Sequence, residues 1–220
     1  MAIKEIELKV PTSYADITLK VWLELQKELI NYEDNEEAIT ALMLSYLCGL
    51  DPKYLKNIAV DDYIQIKTEL ANFISNIELP LQRFITIDGV EYGFEPNLSN
   101  MTYGSFADIT KYNEIKIDDN WASIMSILYR PVTKKQGDMY TIEPYSGKLN
   151  PNLFLNVKMD VHFGCLFFFV NLSTDLLNFT LKSTTGMELP HNIKSILGKS
   201  GEHIQQLLNL QAETYSKLMK

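Results

Sequence analysis

Residues 83–94 read Arg83-Phe84-Ile85-Thr86-Ile87-Asp88-Gly89-Val90-Glu91-Tyr92-Gly93-Phe94. Two alternating runs flank Asp88-Gly89, a pair that supplies the positive backbone angles of a tight two-residue turn, so the stretch predicts a β-hairpin. Upstream, apolar residues recur every three or four positions, the period of helices. The change of period at the hairpin sets the expected fold class: α+β and mainly helical. A helical bundle over residues 1–80 should precede an α+β region, residues 81–220, with a small antiparallel sheet packed by helices and a C-terminal amphipathic helix.

Local signals divide the first eighty residues. Met1 to Glu7 alternates and reads as a short strand. Asp16 or Thr18 can cap a helix with Leu19, Trp22, Leu25 and Leu29 on one face. Asn35 precedes Glu36-Glu37 and a second helix through Ile39, Leu42, Met43, Tyr46 and Leu47, stopped by Gly49. Asp51-Pro52 restarts the chain as cap and first helical residue. A further helix from about Asp61 carries Ile66, Leu70, Phe73, Ile74 and Ile77 before Pro80 ends it.

Beyond the hairpin, the spacing predicts a short helix near Tyr103 to Tyr112. Another starts at Asp118-Asp119, runs through Trp121, Ile124, Ile127 and Leu128, and is closed by Pro131. Met139 to Tyr145 reads as a strand able to join the hairpin. A long core helix is expected from Asp160 to about Leu181, and Ser200 to Lys220 has Ile204, Leu207, Leu208, Tyr215 and Leu218 on one side. Two compact blocks, Tyr92-Gly93-Phe94-Glu95-Pro96-Asn97-Leu98 and Leu128-Tyr129-Arg130-Pro131-Val132, should fix backbone and packing, with each tyrosine hydroxyl needing a partner. Arg130 is expected to tie to a carboxylate such as Glu143.

The 220 residues are 46% hydrophobic and 22% charged, ordinary globular usage. A net charge of −8 repels phosphate backbones and opposes general nucleic-acid binding. The longest apolar run, Val161 to Val170, is too short for a bilayer core of about 30 Å, and the N-terminus carries no apolar export signal. Cys48 and Cys165 lie in apolar runs without a partner motif, which predicts buried thiols in a reducing compartment and synthesis in a cytoplasm.

Chemical motifs are sparse. Gly198-Lys199-Ser200-Gly201 before Glu202-His203-Ile204 resembles the Gly-x-x-Gly loop of the KH RNA-binding module, but the acidic balance and the lack of the module's following strands oppose that reading. Gly198-Lys199-Ser200 lacks the upstream glycine of a phosphate loop. His162 and Cys165 share a helix face, yet His191 and His203 form no recognisable ligand pair with them, so a core histidine is expected and no metal. Glu91 with Glu95, or Asp118 with Asp119, would suit acid/base work only if a cleft set them opposite each other. A hairpin surface and a helix start explain them better.

Taken in order, Asp16-Ile17-Thr18-Leu19, Cys48-Gly49-Leu50, Tyr92-Gly93-Phe94 with Pro96-Asn97-Leu98, Thr102-Tyr103-Gly104 with Asp108, Leu128-Tyr129-Arg130-Pro131-Val132 and Tyr140-Thr141-Ile142-Glu143 form a series. This series resembles small proteins of the structural modules of tailed bacteriophages. Some of these are similar to tail assembly chaperones, which hold the tape-measure protein before the tail tube polymerises. The resemblance runs from residue 16 to residue 180 and carries no catalytic residue. It implies a non-enzymatic morphogenesis protein without cofactors, acting in the host cytoplasm during assembly. Its partners would be phage structural proteins such as the tape-measure protein, or further copies of itself. Trp22, Leu25 and Leu29 of the bundle, with Ile204 and Leu208 of the last helix, are the expected contact residues. A ring-forming virion protein of the neck or tail, retained in the particle, is the alternative.

Overall fold

The structure is a computed structural model that describes residues 8–32, 35–75, 79–112 and 116–183. It is α+β and mainly helical, and the chain divides into two units: Met1–Glu78 with Asn156–Asp160, and Leu79–Leu155 with Val161–Lys220. The expected strand at the N-terminus and the amphipathic helix from Ser200 lie outside the described residues.

In the first unit, α1 (Leu19–Leu29) starts at Thr18, whose Oγ1 accepts the Val21 N–H at 3.4 Å. Asp16 instead closes the preceding turn, its carboxylate accepting the N–H groups of Thr12 and Ser13 at 2.8 and 3.0 Å. In α2 (Glu36–Cys48), Asn35 Oδ1 accepts the Ala38 N–H at 3.0 Å, and Gly49 ends the helix at φ 70, a left-handed conformation that a side chain would resist. The reversed chain hands Leu50 back to Leu44, and with Leu70 of α3 (Val60–Ser75) these form the core of the unit. Segment 156–160 returns here, with the Leu19 N–H on Val157 O at 3.1 Å and the Met159 N–H on Ile17 O at 3.0 Å.

In the second unit, β1 (Phe84–Ile87) and β2 (Val90–Phe94) pair around Asp88 and Gly89, at φ 50 and 80. Helix α4 (Tyr103–Thr110) is capped by Thr102. Helix α5 (Trp121–Leu128) is buried along almost its whole length and passes directly into β3 (Tyr129–Gln136). Here the expectation needs correction: the helix already ends at Leu128, and Pro131 lies inside β3 opposite Tyr92. Proline lacks a donor, but its carbonyl still accepts the Glu143 N–H at 2.9 Å, so the strand tolerates it. Strand β4 (Met139–Ile142) joins the sheet through β3, not through the hairpin, and the order is β1-β2-β3-β4, all antiparallel. Helices α6 (Pro151–Leu155) and α7 (Met159–Ser183) follow.

On one sheet face Phe94 packs edge-on to Tyr129 and Phe168, at 5.3 and 5.4 Å between ring centres. On the other face the Tyr140 ring lies over Gly93. A Cβ built at Gly93 would sit 2.8 Å from Tyr140 Cε2 and 3.0 Å from Ile142 Cγ2. The Tyr140 hydroxyl holds that ring by donating to Phe94 O at 2.5 Å, and Tyr129 donates to Gln82 O at 2.7 Å. Gly93→Ala is therefore expected to cost about 1–3 kcal/mol, the usual penalty of overpacking, measured by urea unfolding. An unchanged midpoint would show that the ring moves aside freely.

Candidate functional site

Of the chemical candidates, His162, Glu91 and Glu95 serve as ties, while His191, His203 and the Gly198-Lys199-Ser200-Gly201 loop lie outside the described residues. Trp121 Nε1–H donates to His162 Nδ1 at 3.1 Å, linking α5 to α7 with both residues fully buried. Cys165 is buried beside it and Cys48 is half-buried. Burial pushes the Cys48 thiol up to about 11, with Glu69 adding to the effect, and burial likewise raises the Cys165 thiol. Neither is a ready thiolate nucleophile or metal ligand. No group of three metal-capable side chains occurs among the described residues.

Each acid of the proposed pair Glu91 and Glu95 holds its own cation. Lys135 Nζ meets Glu91 Oε1 at 2.6 Å on the sheet surface. Arg130 Nη2 meets Glu95 Oε2 at 2.5 Å, with both side chains close to nine-tenths buried. This corrects the expected partner of Arg130, since Glu143 contributes only its backbone carbonyl, which accepts from Arg130 Nε at 2.8 Å. Asp118 accepts the Asn120 N–H at 2.8 Å and so opens α5 as expected. A groove of about 790 Å³ runs beside Arg83, Lys134, Lys135 and Met139. Two of its cations are already engaged: Lys135 sits 3.6 Å over the Phe84 ring and Arg83 lies 5.3 Å from the centre of Tyr140.

Apolar surface is a further candidate among the described residues. Of the expected contact residues, Leu25 is 2% exposed and belongs to the core of its unit, so as folded it presents nothing to a partner. Trp22 is half-buried, edge-on to Tyr14 at 6.1 Å, and Leu29 is half-buried. Ile204 and Leu208 lie outside the described residues. The exposed large apolar residues described in the helical unit are Ile30 and Tyr32, just after α1, and three on α3: Val60 is 72% exposed, Ile64 55% and Ile74 40%.

These three share one stripe. Val60, Ile64, Lys67, Ala71 and Ile74 recur at alternating steps of four and three, which places all five within about 40° of one line on a helix with 3.6 residues per turn. Tyr63, Ile66, Leu70 and Phe73 form a second stripe, turned roughly a quarter-circle away, and this one packs into the unit. Lys67 interrupts the outer stripe, but its ammonium bonds Glu36 at the start of α2. Ile74, grouped in the sequence with Ile66, Leu70 and Phe73, belongs to this outward stripe. The signal was present in the composition: α3 has more apolar residues than one buried face can take. No described helix is long and apolar enough to cross a membrane. Comparison with models of protein families, with curated proteins and with solved structures found no match.

Proposed function

We propose that this chain is a non-enzymatic binding protein of the tail-assembly-chaperone type, which holds an amphipathic helical segment of a phage partner such as the tape-measure protein. The observation that carries this reading is the outward stripe of α3. Val60, Ile64 and Ile74 leave it apolar and exposed at the spacing by which one helix accepts another. Apolar surface ordered in this way on an acidic chain favours association over solvation. The ties found at His162, Glu91 and Glu95 agree with a binding role, because these groups are committed to holding the fold.

The test is Ile64→Asp. Ile64 is more than half exposed, so the variant should keep the far-ultraviolet circular dichroism and unfolding midpoint of the parent. Capture of tape-measure protein from infected-cell lysate, quantified by mass spectrometry, should fall about tenfold or more, the equivalent of losing one buried aliphatic anchor. Equal capture by both proteins would overturn the reading, and stoichiometric presence of the chain in purified particles would replace the chaperone with a retained ring component.

A further inference from the structure

We infer that two copies of this chain pair edge to edge through β1, antiparallel and about a twofold axis at Ile85, so that their sheets join. The inference is independent of the α3 stripe and starts from the backbone at the sheet edge. Strand β1 stands first in the order β1-β2-β3-β4, and no described residue bridges its outer side. Arg83 O accepts the Phe94 N–H at 2.9 Å, and hydrogen-bonded pairs recur at every second residue of an antiparallel ladder. Ile85 and Ile87 therefore bond to β2, while Phe84 and Thr86 point their N–H and C=O groups away from it. Such a row of groups is a template for another strand, and nothing in β1 blunts it: Phe84–Ile87 holds no charge, no proline and no bulge.

Charge selects the occupant and its direction. The strand runs between a cation and an anion, Arg83 before it and Asp88 after it, and both are exposed. Among the described residues no carboxylate meets Arg83 and no cation meets Asp88. Arg83 donates to the Asp138 carbonyl at 3.4 Å and lies over the Tyr140 ring, contacts that leave its charge uncompensated. Turned end for end, Arg83-Phe84-Ile85-Thr86-Ile87-Asp88 sets its cation beside the anion of its copy at both ends. A parallel arrangement sets like charges together. Strand β4 is a poorer partner, because it runs between two anions, Asp138 and Glu143. Pairing β4 with β4 repels at both ends, and pairing β1 with β4 gains at one end what it loses at the other.

The ladder also fixes the register. Outward-pointing residues must face each other, so Phe84 meets Thr86 of the second copy and Ile85 meets its own equivalent. Each such pair of Phe84 and Thr86 exchanges both of its backbone bonds, and the twofold axis repeats the pair. Arg83 then stands one residue, about 3.4 Å along the strand, from Asp88 of the second copy, within reach of a guanidinium.

Sedimentation equilibrium of the full chain reads the association at about 0.15 M salt, where the repulsion between acidic copies is screened beyond about 8 Å. One short strand buries little, so the dimer belongs with weak interfaces under about 1,200 Å² and is sought up to about 1 mM chain. Thr86→Pro removes an outward N–H that β2 does not use and should abolish the dimer. Arg83→Asp and Asp88→Lys should each weaken self-association about tenfold or more, because each sets like charges at both ends. Mixed together, these two variants should pair with each other about as tightly as parent with parent, since one strand now runs between two anions and the other between two cations. Far-ultraviolet circular dichroism checks that each variant keeps its fold, and if Thr86→Pro does not, the charge variants decide alone.

A chain that stays monomeric throughout this range would overturn the inference. So would a dimer unmoved by the charge variants, weakening by both without recovery in the mixture, or a dimer abolished by Ile64→Asp, which would place the contact on α3. Recovery in the mixture would establish the edge, because neither a misfolded variant nor a contact elsewhere on the surface produces it.

Discussion

Arg130→Met is expected to lower the stability of the second unit by about 3–5 kcal/mol, because it leaves the Glu95 carboxylate buried without its cation. Arg130 stands at the join of α5 and β3 and makes three bonds at once. Nη2 meets Glu95 at 2.5 Å, Nη1 donates to Ile127 O at 2.5 Å, and Nε donates to Glu143 O at 2.8 Å. The Ile127 carbonyl belongs to the last turn of α5, where an arginine also meets the negative end of the helix dipole. One side chain thus ties the C-terminus of α5, the chain after β2 and the chain after β4. The expected signature in urea unfolding is a large drop in midpoint. Adding Glu95→Gln to Arg130→Met should recover part of the loss by removing the unpaired charge. A single variant within about 1 kcal/mol of the parent would show that water reaches Glu95 and that the pair is a surface one.

Gly164→Ala is expected to cost about 3 kcal/mol or more, although alanine is the better helix former by about 1 kcal/mol. Gly164 lies in α7, and the chain at Pro80 crosses it so closely that an added Cβ would stand 2.4 Å from Pro80 O and 3.1 Å from Pro80 C. The obstacle is backbone, which cannot rotate out of the way as a side chain does, so either α7 or the segment entering β1 must shift. This separates Gly164 from Gly93, whose neighbour is the ring of Tyr140. The ranking is itself testable: Gly164→Ala should destabilise more than Gly93→Ala in the same denaturant series. An alanine variant at Gly164 as stable as the parent would show that the crossing is looser than 2.4 Å implies.

Features set by near neighbours in the chain were legible. Thr18, Asn35 and Asp51 cap the segments that follow them, Gly49 reverses the chain, and Asp88-Gly89 makes the hairpin turn, because each depends on a few consecutive backbone angles and one short side chain. Strand β3 was not legible. Pro131 and the run Lys134-Lys135-Gln136 argue locally against a strand, and pairing with β2 on one side and β4 on the other overrides them. The partner of Arg130 was misread for a related reason. Glu143 and Glu95 both lie near it, and the geometry of the helix-to-strand join gives the carboxylate of one and only the carbonyl of the other.

The candidate site divides in the same way. Sequence by itself determined that the chain is α+β, that helices dominate the described part of its first eighty residues, that its net charge is negative, and that its glycine and proline blocks fix backbone. All of these follow from composition and from interactions a few residues long. Only the tertiary structure decided which apolar residues are left over. Leu25 and Ile74 look alike in a helical pattern, but Leu25 is 2% exposed and Ile74 40%. Burial depends on what packs against a helix from distant parts of the chain: Leu44 and Leu50 take one side of α3, and the side carrying Val60 and Ile64 stays open to water.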